Sequence, residues 1–217
     1  MAIRSTSTPM SRHHSGRGSI GLPRLTLILA AFTVVLYALA GPAPELLVFD
    51  RLGIANGELW RLFTGHWVHS DGEHLLWNVA GLLVLGWLFE PFLRTRTLAV
   101  LLIGSVGIDL FVWYEVAELQ RYCGLSGVLN TLLAAGLCLQ WKAAREPLVI
   151  VAGSAAVAKI AIEMLNATAL FTHSSWPSVP AVHAVGFAAG VLWWALSRIQ
   201  SVADRRRRMI EGHNDCA

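Results

Sequence analysis

Charged residues are scarce in this chain. They make up 14% of its 217 residues, where a soluble domain carries about 25%. That deficit excludes an ordinary water-soluble domain. It also leaves no broad basic surface for nucleic acid: the run Arg205-Arg206-Arg207-Arg208 reads as a flank that stops translocation, and no nucleic-acid partner is expected. Cysteine is scarce as well. Cys123, Cys138 and Cys216 stand far apart, so no disulfide framework is implied. No H-E-x-x-H occurs, and no carboxylate has the spacing of a known zinc protease. A metal site on His66, His69 and His74 is therefore set aside, and no cofactor is expected. There is no internal repeat. A signal peptide is the rival reading of the amino terminus; the first apolar run reaches spanning length, which argues against it.

What is abundant is apolar. Hydrophobic residues reach 55%, and the mean hydropathy is +0.54. A helix needs about 20 mostly apolar residues to cross the hydrocarbon core. Six runs qualify, at approximately 25–41, 74–93, 97–114, 125–141, 147–165 and 180–198. They predict an all-α membrane protein of six transmembrane helices. The domain runs over 23–199. A Ser-, Arg-, His- and Gly-rich segment, 1–22, precedes it and is expected to be disordered. A basic tail, 200–217, follows.

Charge supplies an orientation. Arg4, Arg12, Arg17 and Arg24 precede the first run. Arg94 and Arg96 follow the second, Lys142 and Arg145 the fourth, and Arg198 and Arg205 to Arg208 the sixth. All fall on one side, which the positive-inside rule makes cytoplasmic, with both termini. The loops 42–73, 115–124 and 166–179 lie opposite.

Polar side chains are costly within a bilayer, so those near the spans are functional candidates. Ser126 opens the fourth run, in Gly124-Leu125-Ser126-Gly127. His183 opens the sixth. His74 and Asn78 open the second and share a helix face at i, i+4. Span counting brings all four to one depth on the non-cytoplasmic side. A serine hydroxyl needs a base before it attacks, and neutral imidazole is suited to that task. His183 is the base if the fourth and sixth helices touch. Gly186 and Gly190 lie on the face of His183, opposite Gly127 and Ala134, and small residues permit such contact. The backbone N–H of Ser126 and the side chains of His74 and Asn78 are placed to bind an oxyanion. Other readings are simpler. The serine would bond its own helix, His74 and Asn78 would tie helices together, and the glycines would be a packing seam. Their shared depth favours catalysis. A transporter would show helices interrupted near the midplane. None is seen, and Asp109, Lys159 and Glu163 gather toward one side.

In these motifs the chain resembles the rhomboid intramembrane serine proteases over about residues 58–195. Trp60-Arg61 looks like the pair in the first rhomboid loop. His69, His74 and Asn78 match H-x4-H-x3-N, and Glu90 falls where rhomboids often keep a glutamate. Gly124-Leu125-Ser126-Gly127 matches G-x-S-G, and His183, Gly186 and Gly190 match H-x2-G-x3-G. The resemblance implies a six-helix rhomboid-like bundle, a Ser126–His183 dyad without a catalytic aspartate, and an oxyanion hole completed by His74 and Asn78. Many rhomboids carry a tyrosine four residues after the nucleophile. Here Asn130 stands there, so His183 must be held by something other than ring stacking. Asn130, the short chain, and Lys159 with Glu163 at i, i+4 look like the rhombosortase branch. That likeness implies a bacterial inner-membrane enzyme facing the periplasm. Its partners would be the lipid bilayer and membrane-anchored substrates bearing a C-terminal Gly-Gly, a hydrophobic helix and a basic tail. The other readings are a general rhomboid protease and an inactive rhomboid-like binder of membrane clients. For Lys159 and Glu163, the simpler reading is an ion pair steadying a helix end.

Overall fold

In lipid a chain must satisfy its backbone polar groups internally, and a helix does so within one segment. The computed structural model follows that logic. It describes residues 22–214 except His173, with side chains to Ser201. Almost all of the segment expected to be disordered, and Cys216, lie outside the described residues.

The chain forms α1 (Arg24–Ala40), β1 (Phe49–Asp50), α2 (Arg51–Ala55), α3 (Trp60–Thr64), α4 (Gly72–Leu93), α5 (Thr97–Glu115), β2 (Arg121–Tyr122), α6 (Ser126–Ala144), α7 (Pro147–Asn166) and α8 (Ala181–Asn214). The helix α8 runs on past residue 199. Among the described residues, three stretches are long and apolar enough to cross a membrane: Gly72–Glu115 with 44 residues, Pro147–Asn166 and Ala181–Ser201. The first holds two helices, because Arg94 takes a left-handed φ of 54° and ends α4. At 17 residues α1 falls just short.

The central helix is α6, packed against α4, α5, α7 and most extensively α8. Its neighbours, rather than lipid, cover it, which explains its small and polar side chains. Around it, Leu76, Val84, Leu102, Val106, Leu148 and Val151 are exposed. So broad an apolar exterior is foreign to soluble monomers.

Three ties fix the remainder. Glu90, near the end of α4, accepts bonds from Leu25 N (3.1 Å), Thr26 N (2.8 Å) and Thr26 Oγ1 (2.6 Å) at the start of α1. A carboxylate there satisfies orphan N–H groups and complements the helix dipole. Arg51 does the converse for α5, donating to the carbonyls of Val112, Trp113, Val116 and Leu119. Finally, β1 pairs antiparallel with β2, Phe49 opposite Tyr122, and so anchors the long loop after α1 to the strand just before Ser126.

Candidate active site

Four helix ends converge on one cleft of about 320 Å³, lined by Trp77, Ser126, Asn130, His183, Phe171 and Trp176 among others. Ser126 is the first residue of α6. The turn before it needs Gly124, whose φ of 116° suits only glycine. A β-carbon at Gly124 would also strike the ring of His74. His183 sits in the first turn of α8. The seam between the two helices is as close as their small residues allow: a β-carbon at Gly186 would collide with the Gly127 carbonyl, and one at Gly190 with that of Thr131. This contact brings Ser126 Oγ to 2.9 Å from His183 Nε2.

His183 Nδ1 has its own partner. Glu163 Oε2, on the last turns of α7, lies 2.8 Å away. The other oxygen, Oε1, accepts from Lys159 Nζ at 2.6 Å and Leu170 N at 2.9 Å. Glu163 is 0% exposed. Sequence reasoning singled out Glu163 with Lys159 but did not join it to His183. The available signal was a carboxylate inside an apolar helix, which requires buried partners. Asn130 does not take the place of the missing tyrosine. Its Nδ2 turns back to the Ser126 carbonyl at 2.9 Å.

On the facing helix, Asp71 caps α4 by accepting from His74 N at 2.8 Å. Burial pushes its carboxyl up, but bonds from Ser175 N, His74 N and the Ser70 hydroxyl outweigh this and bring it to about 2. Ionised Asp71 only accepts, so the Ser70 hydroxyl donates to it at 2.8 Å. Ser70 Oγ must then accept at its other contacts, from His74 Nδ1 at 3.0 Å and Ser174 Oγ at 2.7 Å. Neutral His74 therefore carries its proton on Nδ1 and a lone pair on Nε2. It can donate to an oxyanion only as imidazolium. Asn78 Nδ2 gives one proton to the His74 carbonyl at 2.8 Å and has a second to offer. The N–H of Ser126, at a helix N-terminus, is free of an intrahelical partner.

His66 and His69 stay outside the cleft. His66 Nε2 bonds Asp109 at 3.1 Å. His69 is buried edge-on against His74, ring centroids 5.0 Å apart, and helps set that ring's angle. Burial, and then the neighbouring His74, bring its imidazole down to about 3, so it is neutral. Cys123 lines the cleft, and burial pushes its thiol up to about 12, so the thiol stays protonated.

Residues 56–199 match the Rhomboid domain. The chain belongs to the rhomboid family. Rhomboids are generally intramembrane serine proteases, and the match spans every side chain of the cleft named above. This rhomboid, with its apolar helices and exterior, is an integral membrane protein. A comparison with curated proteins gives no match. In this rhomboid the Trp-Arg pair is structural. Arg61 is buried among Glu58 and the carbonyls of Glu45 and Val48, while Trp60 Nε1 bonds the Leu46 carbonyl at 3.0 Å.

Proposed function

We propose that this rhomboid is an active intramembrane serine endopeptidase that cuts membrane-anchored proteins near the outer membrane face. The observation that carries the proposal is the 2.9 Å approach of Ser126 Oγ to His183 Nε2 in a cleft ringed by apolar helices. Ser126 attacks the scissile carbonyl carbon while its proton passes to His183 Nε2. The oxyanion is met by Ser126 N–H and the spare Asn78 amide proton. His74 would join them only once protonated. Collapse of the intermediate expels the amine, which takes the proton from His183. Water, deprotonated by the same nitrogen, then frees the acyl group and restores the serine.

The substrate carries a C-terminal Gly-Gly, a hydrophobic helix and a basic tail, as the rhombosortase likeness implies. Physical chemistry supports the choice. Ser126 reaches only unwound backbone, and glycine weakens a helix by about 1 kcal/mol relative to alanine. The enzyme sits in a bacterial inner membrane with six spans, cytoplasmic termini and the cleft open to the periplasm. Fluorophosphonate labelling in membranes, beside Ser126→Ala, tests the activity; label retained by Ser126→Ala would sink it. Co-expressed reporters with Gly-Gly or Leu-Leu above an anchor and an Arg-rich tail test the substrate class. Cleavage of the Gly-Gly form alone is expected. Equal processing of both leaves a general rhomboid protease, and neither labelling nor cleavage leaves a client-binding relative.

A further inference from the structure

We propose that Glu163 is the positioning residue for His183, so that the unit is Ser126–His183–Glu163 rather than a dyad. This rests on the reading of Ser126 as nucleophile. Proton accounting carries it. A carboxylate only accepts hydrogen bonds. With Oε2 facing His183 Nδ1, the imidazole must keep its proton on Nδ1. Its Nε2 lone pair then points at the Ser126 hydroxyl, the tautomer a general base requires. Lys159 Nζ and Leu170 N occupy Oε1, so the carboxylate cannot swing away from the ring. When Nε2 takes the serine proton, the imidazolium lies against a fixed negative charge instead of standing unpaired in a buried site.

An ion pair that merely steadied α7 would have no need of this burial. Lys159 is about one-third exposed, while the Glu163 side chain is 1% exposed. Placing a carboxylate inside protein is costly, and an apolar side chain would pack there without that cost. The helix that holds it is otherwise the most outward-facing of the three long apolar stretches. Glu163 is also its hydrogen-bonded link to α8.

The test uses the full-length chain in detergent with a membrane-anchored substrate that the wild type cuts. Wild type, Ser126→Ala and Glu163→Gln are compared for kcat, KM and thermal melting. The amide keeps the shape of the carboxylate but donates to Nδ1 and so selects the wrong tautomer. A like change in a serine-protease triad costs about 10⁴ in kcat. The expected result is a fall in kcat of about 10²–10⁴-fold with KM nearly unchanged and an unchanged melting temperature. Glu163→Gln within about threefold of wild-type kcat overturns the inference, and an inactive Ser126→Ala then leaves the protease reading intact. An active Ser126→Ala overturns that reading instead. Should Glu163→Gln not fold, ¹⁵N-histidine spectra of the wild type decide, with His183 assigned by its loss in His183→Gln. A protonated Nδ1 and bare Nε2 support the inference, and the opposite tautomer overturns it.

Discussion

Asn78 separates a catalytic from a packing role at the scale of one residue. Its Oδ1 is buried without a hydrogen-bond partner among the described residues. Its Nδ2 bonds a carbonyl one turn back on its own helix. Neither contact joins α4 to another helix, so Asn78→Ala removes little that holds the fold together. What it removes is the amide proton facing the cleft. A donor that meets charge only in the transition state shows in kcat. The expected loss is about 10–10³-fold in kcat, with KM and melting temperature nearly unchanged. Steady-state cleavage and thermal melting in detergent check it; a rise in KM alone would make Asn78 a binding residue. His74 is tied to Ser70 and, through it, to the loop that carries Ser174. Its role cannot be equated with that of Asn78.

Between elements, the α6–α8 seam sets the distance between Ser126 and His183. Gly186 lies against the Gly127 carbonyl and Gly190 against that of Thr131. Both neighbours are backbone, which cannot rotate aside. Gly186→Val should therefore push α8 from α6, separate Ser126 from His183 and destabilise the protein by about 1–3 kcal/mol or more. The expected outcome is a lower melting temperature and no fluorophosphonate label. Gly107 on α5 is the control, since a β-carbon there meets only the Ala189 methyl at 3.7 Å, an ordinary contact. Gly107→Ala should label normally and melt no lower, helped by alanine's advantage of up to about 1 kcal/mol in a helix. Equal damage from both would mean that the seam has no special closeness.

For the whole molecule, the distribution of arginine argues orientation. Arg24 begins α1 beside the end of α4, where Arg94 and Arg96 follow, because Glu90 ties these two helix ends together. The opposite end also holds Arg51, Arg61 and Arg121: the first two are spent on backbone carbonyls and a glutamate, and Arg121 faces Asp50 and Glu45. Each is paired within that end, so the bias that places basic flanks in the cytoplasm stands. Reporter fusions at residue 170 and at the C-terminus should then report opposite sides of the membrane. Both on one side would remove the proposed orientation and the periplasmic cleft with it.

Much of this molecule was legible in one dimension. Apolar runs of spanning length mark the helices, because lipid admits few other backbone solutions. The spacing of Gly186 and Gly190 marks a face that packs closely. Counting spans brought Ser126, His183, His74 and Asn78 to one depth, since alternate helices begin at the same membrane face. Three matters were left to the tertiary structure. The partner of His183 is Glu163, twenty residues away across a loop whose path depends on Leu170 N and on packing. Asn130 turned to its own helix, because a short amide four residues after Ser126 finds that carbonyl nearer than any ring. The proton on His74 is decided by Asp71 through Ser70, a chain of contacts between a loop and a helix cap. Periodicity reports which faces are buried and at what depth. It does not report which lone pair meets which proton, because that is settled by side chains from separate helices only after the helices have packed.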